Sequence, residues 1–100
     1  FLFHHRIKYG HEKPDIIVLD INMPHLNGIA LLKKIKGNTH LKTIPIVMLT
    51  NSVRSKDMLE CYNNHANGFI QKNSDLMAFY AEIDLMLHYW SKAIILPTAM

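Results

Sequence analysis

Two continuous apolar runs, Ile16-Ile17-Val18-Leu19 and Ile46-Val47-Met48-Leu49, constrain the fold more than any other feature of the chain. Both are rich in β-branched residues and show no polar alternation, the pattern of strands buried on both faces of a parallel sheet. A shorter run, Gly68-Phe69-Ile70, has the same character. Parallel neighbours need a crossover, and the sequence supplies one. Asn27 can cap a helix in which Ile29, Leu32 and Ile35 recur at helical spacing up to Gly37. A second helix is predicted over 55–63, with Ser55 as its cap and Met58, Leu59 and Tyr62 on one side. A third begins at Ser74 or Asp75 and carries Leu76, Phe79, Tyr80, Ile83, Leu87 and Trp90 at three- and four-residue intervals until Pro97. Strands alternating with helices predict right-handed crossovers and an α/β layered fold, with the chemistry at the carboxyl ends of the strands.

Three polar residues stand at those ends: Asp20, Thr50 and, two places beyond Ile70, Lys72. Each alone has an ordinary explanation. Asp20 can cap a turn leading to Pro24, Thr50 can end a strand, and Lys72 can be a solvated surface lysine. Together on one rim, a carboxylate, a hydroxyl and an ammonium suit phosphoryl transfer. The carboxylate can accept the group, while the hydroxyl and the cation stabilise charge on its equatorial oxygens.

These segments carry a resemblance. Pro14-Asp15-Ile16-Ile17-Val18-Leu19-Asp20-Ile21-Asn22-Met23-Pro24, Asn27-Gly28, Ile44-Pro45-Ile46-Val47-Met48-Leu49-Thr50 and Gly68-Phe69-Ile70-Gln71-Lys72 resemble a response-regulator receiver domain of the chemotaxis-regulator type, from about Pro14 to Pro97. The approach to Ile44-Pro45 and the stretch from Tyr89-Trp90 to Leu96-Pro97 look like the small single-domain regulators paired with phytochrome-type sensor histidine kinases. The resemblance implies a doubly wound parallel sheet of the flavodoxin-like kind, with Asp20 as phosphoacceptor and Thr50 and Lys72 contacting the phosphoryl group. It implies that Asp20 and the backbone carbonyl of Asn22 help hold Mg2+, and that Phe69 is an aromatic switch following Thr50. The protein so implied is a cytoplasmic signalling phosphoacceptor rather than an enzyme. The alternative is a degenerate receiver serving as a phosphorylation-independent interaction module. Asn27 stands where the family often has Asp, Asn51 where Ala or Ser is commoner, and Asn73 where proline is usual after the lysine.

The same resemblance implies an N-terminally truncated receiver. No residue corresponds to the family's first strand, first helix, second strand or acidic magnesium pair, so 1–13 is expected to be the end of a helix and a loop, and 14–97 the strand-helix repeats. Ile16 to Leu19 should then lie at an exposed edge, and Mg2+ should bind firmly only in a full-length domain.

Composition narrows the remaining classes. With 49% hydrophobic residues in 100, a single domain can bury roughly 60 to 68% of its unfolded surface. One cysteine, Cys61, excludes an internal disulfide and a multi-cysteine zinc site, and reads as a small buried hydrophobe. The net charge of +3 comes from scattered basic residues, which gives no reason to expect nucleic-acid binding, and no apolar run approaches a membrane span. His4, His5 and His11 have no nearby carboxylate cluster and are expected to face solvent, as are His25 and His40 in loops, while His65 and His88 have no matched partner that would make either a phosphohistidine or a catalytic base. Tyr80, Leu87 and Trp90 on the last helix are expected to form a partner face, with homodimerisation as one use.

Overall fold

The computed structural model describes residues 2–5, 15–22, 27–51 and 54–96. Their elements are β1 (Leu2–His5), β2 (Ile16–Asp20), α1 (Gly28–Lys36), β3 (Ile46–Thr50), α2 (Ser55–Asn63), β4 (Gly68–Gln71) and α3 (Leu76–Lys92). One four-stranded sheet has the order β1-β2-β3-β4. β2, β3 and β4 are parallel, with Asp20 opposite Leu49 and Thr50 opposite Gln71. That register puts the ends of three strands side by side.

All five residues of β2 and of β3 are buried, as unbroken apolar runs require. Successive side chains point to opposite faces. Ile17, Leu19, Ile46 and Met48 pack with Ile29, Leu32, Ile35 and Cys61 on the side of α1 and α2. Ile16, Val18 and Leu49 pack with Phe79 and Leu96 on the other side, where Ile83, Met86, Leu87 and Trp90 of α3 close over them. Helices on both faces make the layer arrangement doubly wound, and the parallel three-strand core agrees with the expected α/β class.

Five expectations change. The segment 1–13 is predicted to begin as the end of a helix, but Leu2–His5 form a strand antiparallel to β2, pairing Leu2 with Leu19 and His5 with Ile16. The edge predicted to be exposed is therefore covered. Backbone groups along the rim of a buried strand need partners, and an extended segment of any hand supplies them. Ser55 is predicted as the cap of α2; the cap position falls on Arg54, with no side-chain bond. The partner face predicted at Tyr80, Leu87 and Trp90 also divides. Leu87 and Trp90 share the side of α3 that carries Phe79 and turn toward the core. The apolar residues that α3 leaves in solvent include Tyr80, Leu85 and Tyr89. Finally, α3 stops at Lys92, where the Ala93 N–H reaches Tyr89 O, before Pro97. Pro14, Pro24, Pro97, Met23, His11 and His25 lie outside the described residues.

Candidate phosphoacceptor site

The three candidate residues meet at the carboxyl rim. Asp20 ends β2 and Thr50 ends β3, both almost fully buried, while Lys72 follows β4 and is half-buried. The Lys72 ammonium forms an ion pair and hydrogen bond with Asp20 Oδ2. Asn22 N–H donates to Asp20 Oδ1 at 2.8 Å, so each carboxylate oxygen has a donor. Backbone bonds fix the rim: Ile21 N–H to Leu49 O at 2.9 Å, and Lys72 N–H to Thr50 O at 2.7 Å. Side chains separated widely in the chain thus share one small space, as a parallel sheet permits and sequence order alone does not.

The helix below this rim is held by its first residues. Asn27 Oδ1 accepts from the N–H groups of Ile29 at 3.0 Å and Ala30 at 3.3 Å, the expected cap. At Gly28 a Cβ would lie 2.4 Å from Asp20 O and 2.7 Å from Ile21 Cα. Only a residue without a side chain lets α1 start this close to the strand end. The Asn27-Gly28 pair reads as a turn in the sequence; that its glycine abuts the Asp20 backbone is a tertiary fact.

Asn22 does more than the sequence assigns to it. Beyond its backbone role, its side-chain Oδ1 accepts from Thr50 Oγ1 at 3.3 Å and from Asn51 N–H at 3.1 Å. Phe69, the expected switch, is half-buried in β4, packs on the core beneath α1 and α2, and lies 6.4 Å from the Tyr62 ring, centroid to centroid. Beside Lys72 an open groove of about 480 Å³ runs past Asn51, Asn73, Leu76 and Tyr80.

The oxygens at this rim, those of the Asp20 carboxylate, the Thr50 hydroxyl and the Asn22 side chain, are hard ligands of the kind a hydrated hard cation takes. No group of three His, Cys, Asp or Glu side chains gathers among the described residues. His40 is exposed, as expected, and so are His65 and His88. Cys61 is buried, and desolvation, then the charges of Asp57 and Glu60, push its thiol up to about 11.

Known proteins share the fold that carries these residues. The family model described as "Response regulator receiver domain" matches residues 5–84. Response regulator Rcp1 of Synechocystis sp. is 33% identical over 87 residues, covering 87% of this chain and 59% of that protein. The structure of the phosphorylated cyanobacterial phytochrome response regulator RcpA superposes with a TM-score of 0.82 at 32% identity, over 88% of this chain and 63% of that one. The Mn2+-bound form of Rcp1 gives 0.79 at 32% identity, over 86% and 62%. The chain therefore spans about three-fifths of the length of these relatives.

Proposed function

We propose that this chain, which belongs to the response regulator receiver domain family, accepts a phosphoryl group on Asp20 from a sensor histidine kinase and signals through a conformational switch. The observation that carries this reading is the ion pair between Asp20 and Lys72, at the end of a sheet that also brings the Thr50 hydroxyl to the same rim. A buried carboxylate with a fixed cation and a nearby hydroxyl donor is what an acyl phosphate needs around it.

In the transfer, a carboxylate oxygen of Asp20 attacks phosphorus as the donor's N–P bond breaks. The bonding pair returns to the imidazole, and an Asp20 O–P bond forms. Lys72 offsets negative charge on the phosphoryl oxygens, and Thr50 donates its hydroxyl to one of them. Asp20 and the backbone carbonyl of Asn22 would hold Mg2+, whose contribution is neutralisation of the anionic oxygens. Movement of Thr50 toward the phosphoryl group opens space that Phe69 can enter, carrying a change of charge to the far side of β4.

The names of the relatives, which include a phytochrome response regulator and the bacteriophytochrome response regulator AtBRR, support a phytochrome-type kinase as the donor. No helix among the described residues is long and apolar enough to cross a membrane. A second copy of the chain is the proposed occupant of the outer face of α3, where Leu85 and Tyr89 stand one turn apart in solvent.

Acetyl phosphate with Mg2+ at a saturating concentration tests the site. Labelling is expected in the wild type, is expected to vanish in Asp20→Asn, and should fall at least tenfold in Lys72→Ala. An unlabelled wild type would favour the phosphorylation-independent interaction module instead.

A further inference from the structure

Two donors at the end of β3 converge on a single neutral oxygen. Thr50 Oγ1 lies 3.3 Å from Asn22 Oδ1, and the Asn51 N–H reaches the same atom at 3.1 Å. The Asn22 backbone N–H, in turn, holds Asp20 Oδ1 at 2.8 Å. One residue thus ties the carboxylate that would be phosphorylated to the hydroxyl that would respond.

We propose that the Asn22 carboxamide is an off-state latch, a built-in stand-in for a phosphoryl oxygen that occupies the Thr50 hydroxyl and the Asn51 amide until Asp20 is phosphorylated. The inference rests on Asp20 as the phosphoacceptor and adds to it a residue that sets where the equilibrium lies. Adjacent hydroxyl and amide donors suit a tetrahedral oxyanion better than a carboxamide, because bonds to a charged acceptor are roughly twice as strong as neutral ones. The carboxamide oxygen is the weaker acceptor and yields when an anionic oxygen arrives. Until then it stabilises the arrangement in which Thr50 has not moved, and every ligand that needs those donors must displace it. Apparent affinity for such a ligand falls by the fraction of molecules in which the latch is shut.

Asn22 is exposed and lies in the turn after β2, so its truncation leaves the core intact. It is a positioning residue, acting on the phosphoryl group through Thr50 and Asn51. The covalent steps stay with Asp20.

The test uses fluoroberyllate, a tetrahedral phosphoryl mimic, with Mg2+ held constant. Wild type, Asn22→Ala, Asn22→Leu and Asp20→Asn are titrated in parallel. Alanine removes both bulk and carboxamide, whereas leucine keeps comparable bulk and removes the carboxamide with its acceptor oxygen. Both Asn22 variants are expected to bind about fivefold more tightly than wild type, the consequence of losing about one net hydrogen bond from the off state. Amide exchange measured without the mimic supplies a second readout: protection of the Asn51 amide should drop in both variants while β2 and β3 keep theirs. Asn22 variants that bind no more tightly than a binding-competent wild type, or an Asn51 amide indifferent to the substitutions, overturn the latch alone. A wild type that binds fluoroberyllate no better than Asp20→Asn overturns the phosphoacceptor reading, and the latch falls with it.

Discussion

At the scale of single residues, the chemistry-bearing groups were the legible part of this chain. Asp20, Thr50 and Lys72 stand out because each follows an apolar run, and parallel register converts that regularity into contact. Gly28 and the Asn22 side chain were not legible in the same way, since both act across the fold on atoms that sequence spacing does not predict. Gly28→Ala places a Cβ 2.4 Å from Asp20 O, so the backbone after β2 or the start of α1 must shift. Denaturant unfolding should show a loss of about 1–3 kcal/mol, the usual range for overpacking. A loss under a few tenths would mean that α1 is free to slide. Cys61 supplies a pH signature. Its folded thiol titrates at about 11, above the ordinary 9.0, so the folded chain holds that proton more firmly than the unfolded chain does. The resulting stabilisation is complete below pH 9.0 and is lost as pH rises through about 11. Comparing unfolding of wild type and Cys61→Ala across that window should show the wild type losing more stability, with slow thiol labelling of the folded protein below it.

Whole elements were readable where pattern and burial coincide. β2, β3 and α1 follow from β-branched runs and from Asn27 as a cap, and they appear where expected. β1 was not readable, because its pairing is dictated by the open rim of β2 rather than by any alternation of its own. The junction from α2 to β4 illustrates a different limit: His65 sits at φ 71°, in the left-handed region, with no glycine to mark it. A non-glycine residue there carries a steric cost of about 1 kcal/mol. His65→Gly should therefore raise stability by about 0.5 kcal/mol, once the greater freedom of glycine in the unfolded chain is set against that cost. A destabilised variant would reveal a contact of the imidazole that outweighs the strain. The other end of the sheet depends on Lys36, whose ammonium donates to Lys42 O at 3.1 Å, Ile44 O at 2.9 Å and Asn67 Oδ1 at 3.1 Å. Asn67 Oδ1 also accepts from Ile46 N–H at 2.9 Å. Lys36→Met keeps the stem and removes all three donors. It should cost about 1–3 kcal/mol in thermal or denaturant unfolding, because polar atoms at the entry to β3 lose a partner.

For the whole molecule, the sheet divides labour between its two ends. The amino end is tied by Lys36 and Asn67, and the carboxyl end holds the charged and hydroxyl groups. The two faces differ as well. α1 buries its apolar side, α2 buries Cys61 while Leu59 and Tyr62 stay exposed, and α3 covers the opposite core and still leaves Leu85 72% and Tyr89 56% exposed. The sequence could not separate these outer residues from Leu87 and Trp90, because apolar side chains occur almost all round α3. If the outer face seats a second copy, Leu85→Glu should weaken self-association in sedimentation at least tenfold while leaving the melting temperature nearly unchanged; Trp90→Ala should lower stability instead, since its ring packs on the core. Equal sedimentation of wild type and Leu85→Glu would show that this face seats no second copy. Phosphoryl transfer to Asp20 can be read at the residue itself, by peptide mapping after borohydride reduction of acetyl phosphate-treated protein. Reduction converts an aspartyl phosphate to homoserine, so the expected result is homoserine at position 20 alone, dependent on Mg2+. Homoserine at Asp15 or Asp57, or an unmodified Asp20 in a labelled protein, would contradict it.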